Sequence, residues 1–221
     1  MTPRATSLVF LLVVLLGAGC SSVPVYRPPI PLPQDRRLEV GVGPTFAARA
    51  DVSGVGGGGN AWVLYRTDAQ LDFFGSVHGV ELVSYEDGSF VGPFAGGGAG
   101  LRMRTEFLED IIFAGEVGVD FLEDRLRAAD VRYASGLVRL PVAQRVVEGV
   151  WVYAAPTLGI SVPLYEAPPA PFFGISEVPF GVSWTVNDLF TLVAEGGIWG
   201  GTYAPLGSAG YFGVSLMAHP F

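Results

Sequence analysis

The feature that most constrains this chain is a two-residue alternation that runs to its end. From Tyr211 onward, Phe212, Val214, Leu216 and Ala218 alternate with Tyr211, Gly213, Ser215 and Met217, the period of an extended strand with one apolar face. The same split recurs upstream. Val178, Phe180, Val182, Trp184 and Val186 oppose Glu177, Gly181, Ser183 and Thr185; Val152, Ala154, Leu158, Ile160, Val162 and Leu164 oppose Tyr153, Thr157, Gly159 and Ser161. A uniform apolar face suits a soluble sandwich as well as a membrane barrel. The opposite face separates them. It is mostly Gly, Ser, Thr, Ala and Tyr with a few charges, where a soluble exterior would be rich in Lys and Glu.

Composition points the same way. Only 15% of residues are charged and 50% are hydrophobic, against about 25% charged in ordinary soluble domains. A spanning helix needs about twenty consecutive apolar residues. Beyond the N-terminal segment the best candidate is the uncharged run 149–165, which contains Pro156, Gly159 and Pro163 and many β-branched residues, so it does not read as a helix. An apolar chain without helical spans crosses a bilayer only as a closed barrel. The formal net charge of −8 offers no basic stripe, which sets nucleic acid aside as a partner. One Cys and two isolated His have no ligand spacing, so neither a metal nor a cofactor is expected.

Turn signals and alternation give about ten antiparallel strands, with eight as the alternative. They are placed at 38–49, 61–66, 71–85, 90–106, 111–122, 131–145, 151–165, 172–186, 189–203 and the closing strand. Leu38, Val40 and Val42 share one face of the first, Glu39, Gly41, Gly43 and Thr45 the other. The run 54–60 reads as a Gly-rich loop, and a bulge is expected near Gly79. Gly96 to Gly98 reads as a strand section across which a large neighbour can lie. Trp62, Trp151, Trp184 and Trp199 suit interfacial girdles.

Two termini carry resemblances. The segment Gly213-Val214-Ser215-Leu216, with Phe221 at the end, resembles the assembly signal on the closing strand of bacterial outer-membrane β-barrels, although Met217 to Pro220 intervene before the final aromatic. At the other end, Arg4 precedes an apolar run from Leu8 to Leu16 and small residues up to Gly19, the layout of a signal peptide over 1–19. Cys20, the only cysteine, resembles the acylated Cys of bacterial lipoproteins, with Gly17 where Leu is usual; ordinary cleavage nearby is the alternative. Ser21 after it implies an outer-membrane destination. Residues 20–37 then form a Pro-rich tether, and 38–221 the barrel.

Charges on the polar faces are few. A turn centred near Glu109 puts Arg102 opposite Glu116 and Gly98 opposite Asp120, so Arg102, Arg104, Glu116 and Asp120 are expected to form an ion cluster inside the barrel. Arg139, Glu177 and Glu195 fall on the same inner faces. Such charges serve a selectivity path or plug a narrow lumen. Ser76, His78 and Glu81 are similar to the Ser, His and acid of outer-membrane lipid A deacylases, in reversed order. The role expected is non-enzymatic: a barrel in contact with outer-membrane lipid that docks other envelope proteins in a motility, secretion or adhesion assembly. A narrow channel and a lipid hydrolase are the alternatives.

Overall fold

The computed structural model describes residues 37–49, 53–67, 71–108, 110–124, 131–164, 173–201 and 209–220. The expected signal peptide, Cys20, the tether up to residue 36, and Phe221 lie outside the described residues, as do the side chains of Asp120, Glu177 and Trp199. Twelve strand segments follow one another: β1 (Leu38–Arg49), β2 (Gly54–Arg66), β3 (Leu71–Ser84), β4 (Phe90–Leu108), β5 (Ile111–Asp124), β6 (Val131–Arg139), β7 (Val142–Val147), β8 (Val150–Ala154), β9 (Thr157–Pro163), β10 (Phe173–Asn187), β11 (Phe190–Gly201) and β12 (Ala209–Ala218).

All pairings are antiparallel, and β1 pairs with β12 from Val40↔Ala218 to Arg49↔Ala209, so the sheet closes on itself. β6 and β7 form one stave, as do β8 and β9, because Arg139↔Thr157 and Val142↔Ala154 continue one register. Proline explains both interruptions. Pro141 and Pro156 have no N–H to give, yet their carbonyls accept from the Ala114 and Leu140 amides at 2.9 Å, so the ladder runs on. The result is a barrel of ten staves.

Its two ends differ. At one end the connections 109–110, 148–149 and 188–189 are two residues each, whereas at the other 125–130, 164–172 and 202–208 are six to nine residues. Short turns mark the periplasmic end of such barrels and long loops the extracellular end. The tight turns are chemically specified. Asn187 Oδ1 accepts from the Leu189 and Phe190 amides at 2.9 and 3.0 Å, and Gly149 takes a left-handed φ of 74°. Both the first residue of β1 and the last of β12 lie at this end.

Alternation sorts side chains by wall. Every stave points apolar residues outward, for example Phe46, Tyr65, Val77, Met103, Val117, Leu158, Val182 and Leu216, all exposed. The inner wall departs from a purely polar lining. Trp62, Leu64, Phe74, Ile112, Ala143, Trp151, Tyr153, Val193 and Met217 pack into a buried apolar core inside the barrel. Trp62 and Trp151 are therefore core residues, which corrects their reading as girdle residues; Trp184 is exposed on the outer wall.

Two local expectations also change. The glycine run is strand, not loop: Gly56 pairs with Leu82 and Gly58 with Val80. A Cβ on either would fall 1.7–1.8 Å from the carbonyl oxygens of Glu81 and Gly79, so only glycine lets β2 approach β3 this closely. Pattern reading missed it because a side chain is what signals a face. β3 keeps its alternation through Gly79, and its irregularity lies between Leu82 and Val83.

Candidate functional site

The inner wall carries a ladder of charges along one register row. Arg66 on β2 stands opposite Asp72 on β3, Asp72 opposite Arg102 on β4, Arg102 opposite Glu116 on β5, and Glu116 opposite Arg139 on β6. The sign alternates at every step. The row continues through Thr157 on β9 to the backbone position of Glu177 on β10. Arg66 ends β2 at the periplasmic rim, while Glu177 lies near the extracellular start of β10, so the row climbs the barrel as it goes round.

Close contacts hold the ladder together. Arg102 Nε donates to Glu116 Oε1 at 2.6 Å, and each residue is 2% exposed. Arg139 Nη1 approaches Glu116 Oε2 at 4.0 Å while its Nε donates to Thr157 Oγ1 at 3.1 Å. Arg104, one row beyond Arg102, donates from Nη2 to Asp72 Oδ1 at 3.2 Å; its Nε is 2.9 Å from Oδ2 at an angle that makes an ion pair without a hydrogen bond. Glu39 of β1 is buried within the field of Arg102, Arg66, Asp72 and Arg104. Among the described residues, four arginines thus face three carboxylates. In a poorly solvated interior such ions persist only if paired and hydrogen-bonded.

A second buried carboxylate is satisfied differently. Glu195 on β11 accepts from Tyr153 Oη at 2.7 Å and from Tyr211 Oη at 3.1 Å. Both rings lie across glycines. A Cβ on Gly181 would meet Tyr153 Oη at 2.4 Å, and one on Gly197 would meet the Tyr211 ring at 2.7 Å. Nearby, Asn60 Nδ2 donates to Thr45 Oγ1 at 2.9 Å, and His219 Nε2 lies 3.1 Å from Thr191 Oγ1. These bonds tie β2 to β1 and the end of the chain to β11.

Of the residues singled out in the sequence, Arg102, Arg104, Glu116 and Arg139 come together. Asp120 does not join their row; its backbone stands opposite Gly98 and Ser135, four residues further along β5. Glu195 belongs to the tyrosine pair. Gly213, Val214 and Leu216 lie in β12, where Val214 and Leu216 face outward. Arg66 and Asp72 of the ladder, and Glu39 within its field, were missed. Glu39 alternates with apolar neighbours, but Arg66 and Asp72 sit at strand ends where charge usually reads as a turn. Ser76 and His78 point inward and Glu81 outward, so these three do not assemble into a triad. Outside the barrel wall, the Ser89 amide and hydroxyl donate to Asp87 at 3.0 and 2.7 Å and hold its carboxyl below the usual range.

No protein-family model matches the sequence, and no curated protein matches it. Among solved structures the chain is similar to the beta domain of the Bordetella autotransporter BrkA, with 13% identity over 84% of this chain and 99% of that one and a TM-score of 0.49. It is similar to a loop L8 deletion mutant of OmpT, an outer membrane protein of Vibrio cholerae (14% identity, 79% of this chain and 61% of that one, TM-score 0.38). It is also similar to Ail, the attachment invasion locus protein of Yersinia pestis, in complex with the heparin analogue sucrose octasulfate (14%, 82% and 95%, TM-score 0.31).

A closed antiparallel barrel that carries apolar residues outside on every stave, and that buries a ladder of arginines and carboxylates inside, satisfies its backbone without water and matches a lipid exterior. The protein is a β-barrel of the bacterial outer membrane.

Proposed function

We propose that this barrel is a structural anchor, lipidated at Cys20, that docks other proteins of an envelope assembly serving motility, secretion or adhesion. It moves no solute and turns over no substrate of its own. The observation that carries this reading is the apolar cluster packed on the inner wall beside the charge ladder. A ten-stave barrel has little interior to spare, and here Trp62, Phe74, Ile112, Trp151 and Met217 occupy it beside the charge ladder. Paired ions between packed rings leave the arginines and carboxylates committed to one another.

The chain enters the barrel at the periplasmic end, where the Arg66 amide donates to the Arg37 carbonyl at 2.8 Å. That supports a tether over 20–37 on the same side as the tight turns. In polyproline geometry, at about 3.1 Å per residue, the tether reaches on the order of 50 Å.

Cross-linking in native membranes, followed by identification of co-purified proteins, tests the docking role. Specific envelope proteins should be recovered with the wild type and lost with the tether or periplasmic turns altered. Recovery of the barrel alone, together with steady conductance in planar bilayers, overturns the reading in favour of a channel. Mass spectrometry of the mature N-terminus tests the lipid: an unmodified thiol on Cys20 removes that part.

A further inference from the structure

On the outer wall, away from the charge ladder, small residues leave a groove of about 840 Å³. That size falls within the roughly 300–1,000 Å³ of small-molecule sites. Its floor is Ala194 and Gly196 on β11, Gly210 on β12 and Ala48 on β1. Phe180 and Phe212 flank Gly196 in one row, and Ile198 stands beside Gly210. The groove runs from the middle of the wall to the extracellular ends of β1, β11 and β12.

We propose that this groove seats a hydrocarbon chain of a membrane lipid in the extracellular leaflet. Three observations converge on that occupant. The groove is continuous with the apolar outer wall, so it opens onto lipid rather than water. The charged residue among those described that line it, Glu195, is 1% exposed and already accepts from two tyrosines on the inner side, so none of the described lining residues offers a charged group to a headgroup there. Among the described residues, the smallness of Gly210 has no internal cause: its φ is not left-handed, and the nearest described atom to an added Cβ is the Gly197 carbonyl oxygen at 3.8 Å. This contrasts with Gly181 inside the barrel, which Tyr153 requires to be bare. A packed chain there gains the dispersion contacts that an unfilled groove forfeits.

The test uses the full chain folded in dimyristoylphosphatidylcholine vesicles containing a fraction of the same lipid with a diazirine on one acyl chain. The protein is moved to lipid-free detergent micelles, washed, irradiated and mapped by peptide mass spectrometry. Retained label should concentrate on peptides carrying Phe180, Ile198 and Phe212. Gly210→Leu combined with Ala48→Leu should reduce it severalfold. Gly136→Leu, which adds bulk on the outer face of β6 where no described atom lies within 4 Å of a new Cβ, should leave it unchanged. Heat-modifiability on gels confirms that each variant is folded, and a variant that fails to fold is replaced by the single Ala48→Leu. Label spread evenly around the barrel overturns the proposal, as does label undiminished by filling the groove. Protein-to-protein cross-links at these residues also overturn it and assign the groove to a second copy.

Discussion

Glu116 and Glu195 are buried to the same degree in one barrel, yet their surroundings share almost nothing. Glu116 is held between Arg102 and Arg139 in a row of alternating charge. Glu195 is held by two tyrosine hydroxyls on rings that lie over glycines. An ion-paired carboxylate depends on its partner's charge; a hydroxyl-bonded one depends on ring placement. The first arrangement should fail when a charge is left alone, the second when a ring or its glycine bed is altered.

The largest expected effect follows from breaking the ladder. Arg102→Met takes from Glu116 its partner at 2.6 Å and leaves the more distant Arg139 in place, and losing one partner of a buried pair costs about 3–5 kcal/mol. The temperature at which the folded band disappears on gels should drop, and adding Glu116→Gln should recover part of the loss. Purely additive effects would show that the two residues are energetically independent, despite their 2.6 Å contact.

Next comes a charge on the opposite wall. Val182 faces outward beside Ser183, which is fully buried. Val182→Arg should cost about 2–4 kcal/mol if the site is near mid-bilayer, by analogy with measured lipid-facing substitutions. Urea unfolding in vesicles measures it. A neutral result would mean that this face does not meet lipid.

The tyrosine site should respond less. Tyr153→Phe removes one hydroxyl from Glu195 and keeps the ring over Gly181, so the loss should be about 1.5–3 kcal/mol, the range for hydrogen bonds to charged groups. Gly181→Ala should hurt as well, because the new Cβ collides with Tyr153. If Tyr153→Phe matches Arg102→Met in cost, the contrast between the two carboxylates collapses.

The smallest effect belongs to the periplasmic rim. Arg145 pairs with Asp110 and lies 5.9 Å from the Trp151 ring centroid, but both charged groups are well exposed. Arg145→Ala should change stability by only about 0.2–1 kcal/mol, further reduced by salt. A larger loss in the same urea assay would mark this rim as part of the barrel's essential packing.

Strand period and wall assignment were legible because alternation is a local property: Val182 and Ser183 declare their faces wherever the sheet goes. Hairpin register was legible where turns are tight, as between β4 and β5, since a short connection leaves few ways to align Arg102 with Glu116. Proline breaks at Pro141 and Pro156 were not, because the ladder survives them through carbonyls that a sequence does not show bonded. The apolar core was hidden for a related reason. Around Trp62 and Leu64 both faces are apolar, so no pattern says which side is lipid and which is lumen.

By itself, then, the sequence determined an all-β chain with a lipid-compatible face and inward charges, since side-chain period and the rarity of charge depend only on neighbours along the strand. Closure decided the rest. Joining β12 to β1 curls the sheet until Glu39 on β1 comes into the field of Arg102 and Arg104 on β4, three strands away, and it brings Tyr153 and Tyr211 to Glu195 from opposite sides. Those encounters are set by barrel curvature and stagger, which couple residues remote in the chain and leave no local trace.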